Sequence, residues 1–179
     1  MPGTQHLFAV TRWLLNAGAI FSLFLMGMVA LAFGACVLAA TGLIHLPIPA
    51  EDLKEMKDIS LSLLLTAAAV ACASGVLLLG LLSLLLMMTA RIVKTADTDP
   101  FVEGNARRLM QIGWLLLGMQ AVGLTAGMVM EIFPKSITDH VQAGFDFNPI
   151  AFLGAMLIFV LAQIFKRGTQ MRDELESTV

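Results

Sequence analysis

The chain has 179 residues, of which 58% are hydrophobic and 13% are charged, and its mean hydropathy is +0.86. Soluble domains carry about 25% charged residues, so this composition excludes an ordinary water-facing globule and predicts a membrane protein. The formal net charge of −2 argues against direct nucleic-acid binding by the chain as a whole.

Four long apolar runs follow one another along the chain, separated by three polar segments. A helix needs roughly 20 residues to cross a hydrocarbon layer about 30 Å thick, and the runs are of that order or longer. We therefore expect an all-α protein, a four-helix transmembrane bundle that forms one integral membrane domain over residues 1–179. The predicted spans are residues 13–40, 61–90, 112–130 and 149–165.

The first polar segment, residues 41–60, is predicted to be an outer loop. Two prolines end the first span within it. After them, Leu53, Met56 and Ile59 recur every three residues. This spacing favours a short helix that lies on the membrane surface.

The second span carries a stripe of small residues, because Ala67, Ala71 and Gly75 repeat every four positions. Helices in lipid lack a hydrophobic drive to associate, so small residues that permit close packing join them. We expect this stripe to face other helices of the bundle. A functional cavity along the stripe is the alternative interpretation.

The central polar segment, residues 91–111, is predicted to be a linker that leads into the third span. Asp99 followed by Pro100 is typical of a helix start, since Asp caps the first turn and Pro suits its first position. We therefore expect one helix to begin here and to continue through the third span.

The third span contains a polar residue at mid-depth, Gln120, beside a G-x-x-x-G pair formed by Gly123 and Gly127. An amide without a partner in hydrocarbon costs several kcal/mol, so Gln120 is predicted to face another helix. We assign all three residues to helix packing. A polar contact from Gln120 to a ligand is the alternative.

The distribution of Lys and Arg predicts the orientation of the chain. The N-terminus, the central segment and the C-terminal tail hold eight of these residues, whereas the loops at 41–60 and 131–148 hold three. Short loops rich in Lys and Arg stay in the cytoplasm, so both termini are expected there. Trp13 and Trp114 then fall at the cytoplasmic interface, where indole rings anchor well.

Motifs for catalysis, cofactors or metal binding are missing from the sequence. His6, His45 and His140 lie in separate segments and form no zinc or haem motif. Cys36 and Cys72 lie inside apolar runs without a C-x-x-C pattern, which favours reduced thiols. The spans hold no Asp, Glu, Lys, Arg or His away from their ends, which argues against a proton or ion pathway. We expect no enzyme activity, no cofactor and no bound metal.

A family resemblance begins in the central segment. Its residues there are Pro100-Phe101, Asn105, Arg108-Leu109 and Ile112-Gly113, and the end of the fourth span at Arg167-Gly168 adds to them. With these residues and its four-span layout, the chain resembles the bacterial "domain of unknown function 2975" family. The resemblance implies a small inner-membrane protein, often encoded beside a small helix-turn-helix regulator, without enzyme activity.

Three hypotheses for the function follow. The first is a regulatory membrane protein that binds or sequesters a cytosolic helix-turn-helix regulator; the competing explanation for its arginines is pairing with lipid phosphates. The second is a sensor or carrier of a small apolar molecule or lipid, with a pocket near Gln120. The third is an assembly subunit that forms homo-oligomers through its small-residue stripes. The predicted contacts for the regulator are Pro100, Phe101, Asn105, Arg107 and Arg108.

Overall fold

The computed structural model describes residues 2–43, 60–96, 102–138 and 148–177, and every regular element in these ranges is a helix. In chain order the helices are α1 (Pro2–Ala40), α2 (Leu61–Ala96), α3 (Glu103–Met130), the one-turn α4 (Lys135–Thr138) and α5 (Pro149–Ser177). The all-α prediction is confirmed. The four longer helices are long and apolar enough to cross a bilayer, so the chain is a multi-pass membrane protein.

Two helices extend further into the polar segments than predicted, and the first is α2, which continues over residues 91–96 of the predicted linker. Residues 103–111 belong to α3, in agreement with the prediction of one helix that runs from the central segment through the third span. The polar tail is also helical, because α5 runs on to Ser177. Arg, Lys, Glu and Gln are good helix formers whose side chains reach water, so the end of an apolar run need not end the helix.

Some sequence predictions fall outside the described residues. They are the surface helix within 44–59, the helix start at Asp99 and Pro100, and most of the outer loop around His140. The first described residue after the central gap is Val102, and its carbonyl accepts the backbone N–H of Asn105 over 2.8 Å. This bond belongs to the first turn of α3.

Two helix ends are closed by capping interactions. Beyond the end of α1, Gly42 has a φ of +75°, and the N–H of Leu43 donates to the carbonyl of Leu38 over 3.0 Å. Glycine suits this position because it has no Cβ to clash in the left-handed region. At the start of α5, Asn148 Oδ1 accepts the N–H groups two and three residues ahead, at 3.0 and 3.2 Å.

The chain divides into two compact units, and α1, α2 and α3 contribute to both. Unit 1 consists of Met1–Leu23, Gly80–Ala121 and Asn148–Val179. Unit 2 consists of Phe24–Leu79 and Val122–Phe147. Each unit therefore takes its packing from different parts of the same long helices.

Close helix packing in unit 1 centres on Gly113. A Cβ added there would lie 2.7 Å from Phe159 Cε1 and 2.9 Å from Phe159 Cζ. The Phe159 ring also meets the indole of Trp114 edge-on, with ring centroids 5.5 Å apart and planes at 71°. Since no space remains for a methyl group, glycine is what allows α3 and α5 to approach this closely.

The predicted stripe of α2 lies against other parts of unit 2. Ala67 is fully buried, and Ala71 and Gly75 are half-buried. A Cβ added to Gly75 would lie 3.4 Å from Val29 Cγ1 of α1. The stripe therefore packs within the protein, and its small side chains set the approach of α1.

In the G-x-x-x-G pair of α3, Gly123 makes no close contact of the kind that Gly75 makes in the stripe. Gly123 and Gly127 are both half-buried. A Cβ added to Gly123 would meet nothing within 4 Å. Gly123 is therefore not at a close helix contact within the chain, in contrast to its predicted packing role.

Large apolar side chains cover the outside of α1. The most apolar window of this helix contains no buried residue, and Ile20, Phe21, Phe24 and Leu31 are largely exposed. Contiguous apolar surface of this extent is costly in water. In a bilayer the same side chains lie among acyl chains.

The close contact at Gly113 gives the first prediction. Gly113→Ala should lower the thermal unfolding midpoint of the detergent-purified protein, because the added methyl group displaces the Phe159 ring. Overpacking of this kind costs about 1–3 kcal/mol. The midpoint is measured by circular dichroism at the helical band.

Gly118→Ala is the matched control on the same helix, since nothing lies within 4 Å of its added Cβ. It should be neutral or slightly stabilising, because alanine is the better helix former. Adding Phe159→Leu to Gly113→Ala should recover part of the lost stability. Equal midpoints for the two single alanine variants would contradict the packing described for α3 and α5.

Candidate functional site

The described residues contain no group of three or more His, Cys, Asp or Glu placed to hold a metal ion. Cys36 and Cys72 are both free and half-buried. A cluster of hydrogen-bonded polar side chains lies in unit 1, where the last turns of α2 and the first turns of α3 bring together threonine, asparagine and arginine. We take this region as the candidate functional site.

A buried asparagine lies at the centre of the site. Asn105, in the first turn of α3, is 0% exposed. Thr95 Oγ1, in the last turn of α2, donates to Asn105 Oδ1 over 2.7 Å. Arg108 Nη1 donates to the same oxygen over 3.0 Å. One carbonyl oxygen thus joins the end of α2 to the start of α3.

Thr95 also contacts the backbone of its own helix. Its hydroxyl also lies 3.0 Å from the carbonyl of Ile92 and 3.1 Å from that of Arg91, so it packs back onto its own helix. Hydrogen bonds that involve a charged donor contribute about 1.5–3 kcal/mol, more than neutral ones. The Arg108 bond is of this stronger kind, and it fixes the guanidinium beside the junction.

A polar stripe runs along the accessible face of the same α3 segment. Glu103, Arg107 and Gln111 follow one another every four residues, so they share one helix face. Arg107 Nη2 lies 3.4 Å from Glu103 Oε1, and their side chains are 75% and 78% exposed. An ion pair this exposed contributes little to stability, so both groups are available to a partner.

The stripe borders a cavity of about 390 Å³. Its lining includes three arginines and one glutamate, which gives the cavity an excess of positive charge. The arrangement attracts an anionic group or the acidic surface of another molecule. The lining residues are Met88, Arg91, Glu103, Gly104, Arg107, Arg108 and Gln111.

The predicted regulator contacts take different positions in this structure. Pro100 and Phe101 lie outside the described residues. Arg107 is exposed, and Arg108 is half-buried with one guanidinium nitrogen bound to Asn105. Asn105 itself is fully enclosed, so the expectation that it touches a partner has to be corrected: its amide holds α2 and α3 together.

Gln120 has a protein partner. Its Nε2 donates to the backbone carbonyl of Asn148 over 2.6 Å, immediately before the first residue of α5. The bond ties the middle of α3 to the start of α5, as an amide in an apolar span requires. A sensor pocket in which Gln120 waits for a ligand without a protein partner does not agree with this geometry.

Sequence reasoning missed several parts of the site. Thr95 looked like an ordinary polar residue near the end of a span. From the sequence, Arg91, Glu103 and Gln111 could be assigned only to a polar segment. The four-residue spacing from Glu103 to Gln111 could have predicted a polar face on α3. Nothing in the sequence indicates that Thr95 contacts Asn105.

Comparison with known proteins gives one match. A family model described as "Protein of unknown function (DUF2975)" matches residues 46–179, which are 134 of the 179 residues. No curated protein and no solved structure matches the chain. The matched range contains α2 to α5, and with them Thr95, Asn105 and Arg108.

The Asn105 junction gives the second prediction. Asn105→Leu should destabilise the detergent-purified protein by about 2 kcal/mol, because it removes the acceptor of Arg108 and leaves a polar group beside an apolar side chain. Thermal unfolding by circular dichroism measures the change. Gln111→Leu makes the same chemical change at an exposed position of the same helix, and it should stay within about 0.5 kcal/mol of wild type. Similar losses in both variants would contradict the role given to Asn105.

Proposed function

Since the chain belongs to the DUF2975 family, whose description assigns no function, we propose from its own residues that it is a regulatory protein of the bacterial inner membrane. It binds a small cytosolic helix-turn-helix transcription regulator and holds it at the membrane, away from DNA. The long apolar helices are the anchor, and the accessible face at the start of α3 is the contact surface. No catalysis is assigned to it.

The proposal requires the junction of α2 and α3 to face the cytoplasm. Eight of the eleven Lys and Arg residues lie at the N-terminus, in the central segment or in the C-terminal tail, and this bias favours a cytoplasmic position for these segments. Further support comes from Trp13 and Trp114, which are 68% and 65% exposed. Exposed indoles at these positions suit the headgroup level of the same leaflet.

The main support for the proposal is the stripe of Glu103, Arg107 and Gln111. It lies on a helix whose first turn is held to the end of α2 by the hydrogen bonds of Asn105. Binding is tighter when the contact surface is already ordered, because less conformational entropy is lost. The buried Asn105 junction supplies that order. The stripe therefore offers a partner charged and amide groups on a rigid backbone.

Charge decides which surface of the regulator fits. Arg91, Arg107 and Arg108 outnumber Glu103 around the cavity, so a partner that presents acidic side chains is attracted and a basic one is repelled. A DNA-binding helix is basic as a rule. The regulator therefore docks through an acidic surface away from its DNA-binding helix, and confinement to the membrane separates it from its operators. Members of the family are often encoded beside a regulator of this class, which supports the same kind of partner.

Co-purification tests the proposal. The full chain is co-expressed with a small helix-turn-helix regulator of the kind that is often encoded beside members of the family, and the regulator recovered with the detergent-solubilised membrane protein is quantified. Arg107→Glu should reduce recovery about tenfold or more, because it reverses the charge of an exposed contact without touching the Asn105 junction. Recovery by the wild type should also fall as salt rises, since exposed charges are screened.

Arg167→Glu is the control, because it reverses an exposed arginine on α5 far along the chain from the stripe. It should recover as much regulator as the wild type. Equal recovery by Arg107→Glu, Arg167→Glu and the wild type would remove the proposal. That result would leave Arg107 as a residue that pairs with lipid phosphates.

A further inference from the structure

A second cavity in unit 1 lies between α1 and α2, and it shares only Arg91 with the cavity of the proposed regulator contact. Its volume is about 270 Å³. Three of its six lining residues are cations and none is acidic, so it is more strongly positive than the first cavity. The lining residues are Arg12, Asn16, Met87, Ala90, Arg91 and Lys94.

This cavity lies where both helices change from apolar to polar sequence. Arg12 directly precedes the apolar run of α1, and Arg91 directly follows the apolar run of α2. Met87 and Ala90 add apolar surface to the same lining. The cavity thus combines cations with apolar lining at the boundary between apolar and polar sequence, which is where lipid headgroups are expected.

We propose that this cavity binds the phosphate of an anionic phospholipid. The guanidinium groups of Arg12 and Arg91 suit paired hydrogen bonds to phosphate oxygens, and Lys94 adds a third positive charge. The amide of Asn16 lies one turn along α1 from Arg12 and supplies a neutral donor. Basic pockets between transmembrane helices are a known setting for anionic headgroups.

The apolar part of the lining favours a lipid over free phosphate. A phosphate ion gains nothing from Met87, whereas the glycerol and upper acyl carbons of a lipid bury apolar surface against this half-buried side chain. Leu84 lies two turns before Arg91 on the same side of α2, and its apolar side chain is 47% exposed. Pockets for drug-sized molecules measure roughly 300–1,000 Å³, so the present volume fits a headgroup whose chains lie outside.

Binding measurements on the purified full chain test this inference. Thermal midpoints in a non-ionic detergent are recorded while dioleoylphosphatidylglycerol, tetraoleoylcardiolipin, dioleoylphosphatidylcholine or inorganic phosphate is added at equal phosphate concentration. The two anionic lipids should raise the midpoint of the wild type. Phosphatidylcholine and inorganic phosphate should leave it unchanged.

The decisive variants remove two charges each. Arg91→Gln/Lys94→Gln should weaken the apparent affinity for the anionic lipids roughly 30-fold, whereas Lys166→Gln/Arg167→Gln, an equal loss of charge outside the cavity, should bind like the wild type. Midpoints without lipid show that both variants are folded. Equal lipid affinity in both variants would overturn the inference. A midpoint raised by inorganic phosphate as much as by the lipids would overturn the assignment to a phospholipid.

This inference and the proposed function fail independently. The lipid measurement contains no regulator and concerns Arg12, Arg91 and Lys94, whereas the regulator test changes Arg107. Lipid binding without regulator recovery would support the lipid site and reject the regulator contact. Regulator recovery without lipid binding would leave only the contact surface on α3.

Discussion

The structure depends on one constraint: a bilayer offers no hydrogen-bond partner to a polar group, so the protein has to supply it. Ser74 Oγ and Ser83 Oγ each lie 2.8 Å from a carbonyl of their own helix, and Gln120 binds the carbonyl before α5. Within the described part of the chain, no buried side-chain nitrogen or oxygen lacks a hydrogen bond. Lys and Arg side chains are placed at the ends of the apolar runs, where the protein no longer has to supply every hydrogen-bond partner itself.

The same constraint explains where function can reside. Charged groups gather next to the ends of the apolar runs of α1, α2 and α3, and two cavities of unit 1 form there with Arg91 in the lining of both. The cavity beside α3 is bordered by an exposed charged stripe and suits a water-borne partner. The cavity between α1 and α2 has an apolar wall and suits an amphiphile. Both proposed sites thus lie in one basic region of unit 1.

Sequence patterns predicted the apolar part of the fold and missed the polar contacts. The long apolar runs located all four spans, and the four-residue repeat at Ala67 identified a packed face of α2. Helix ends were less predictable, because charged residues continue a helix as well as they end it. Asn105 appeared to be a surface contact since it lies in a polar segment. Its burial depends on Thr95 of another helix, and no periodicity within one helix reports such a contact.

Cysteine accessibility tests the central claim, that the basic junction of α2 and α3 faces the cytoplasm, most directly. Single cysteines replace Glu103 and Lys135, both exposed, in a chain whose two native cysteines are changed to alanine, and intact cells are treated with a membrane-impermeant maleimide. Our account predicts that position 135 reacts in intact cells and that position 103 reacts only after the membrane is opened. Labelling of position 103 in intact cells would contradict it, because a cytosolic regulator could not then reach the start of α3.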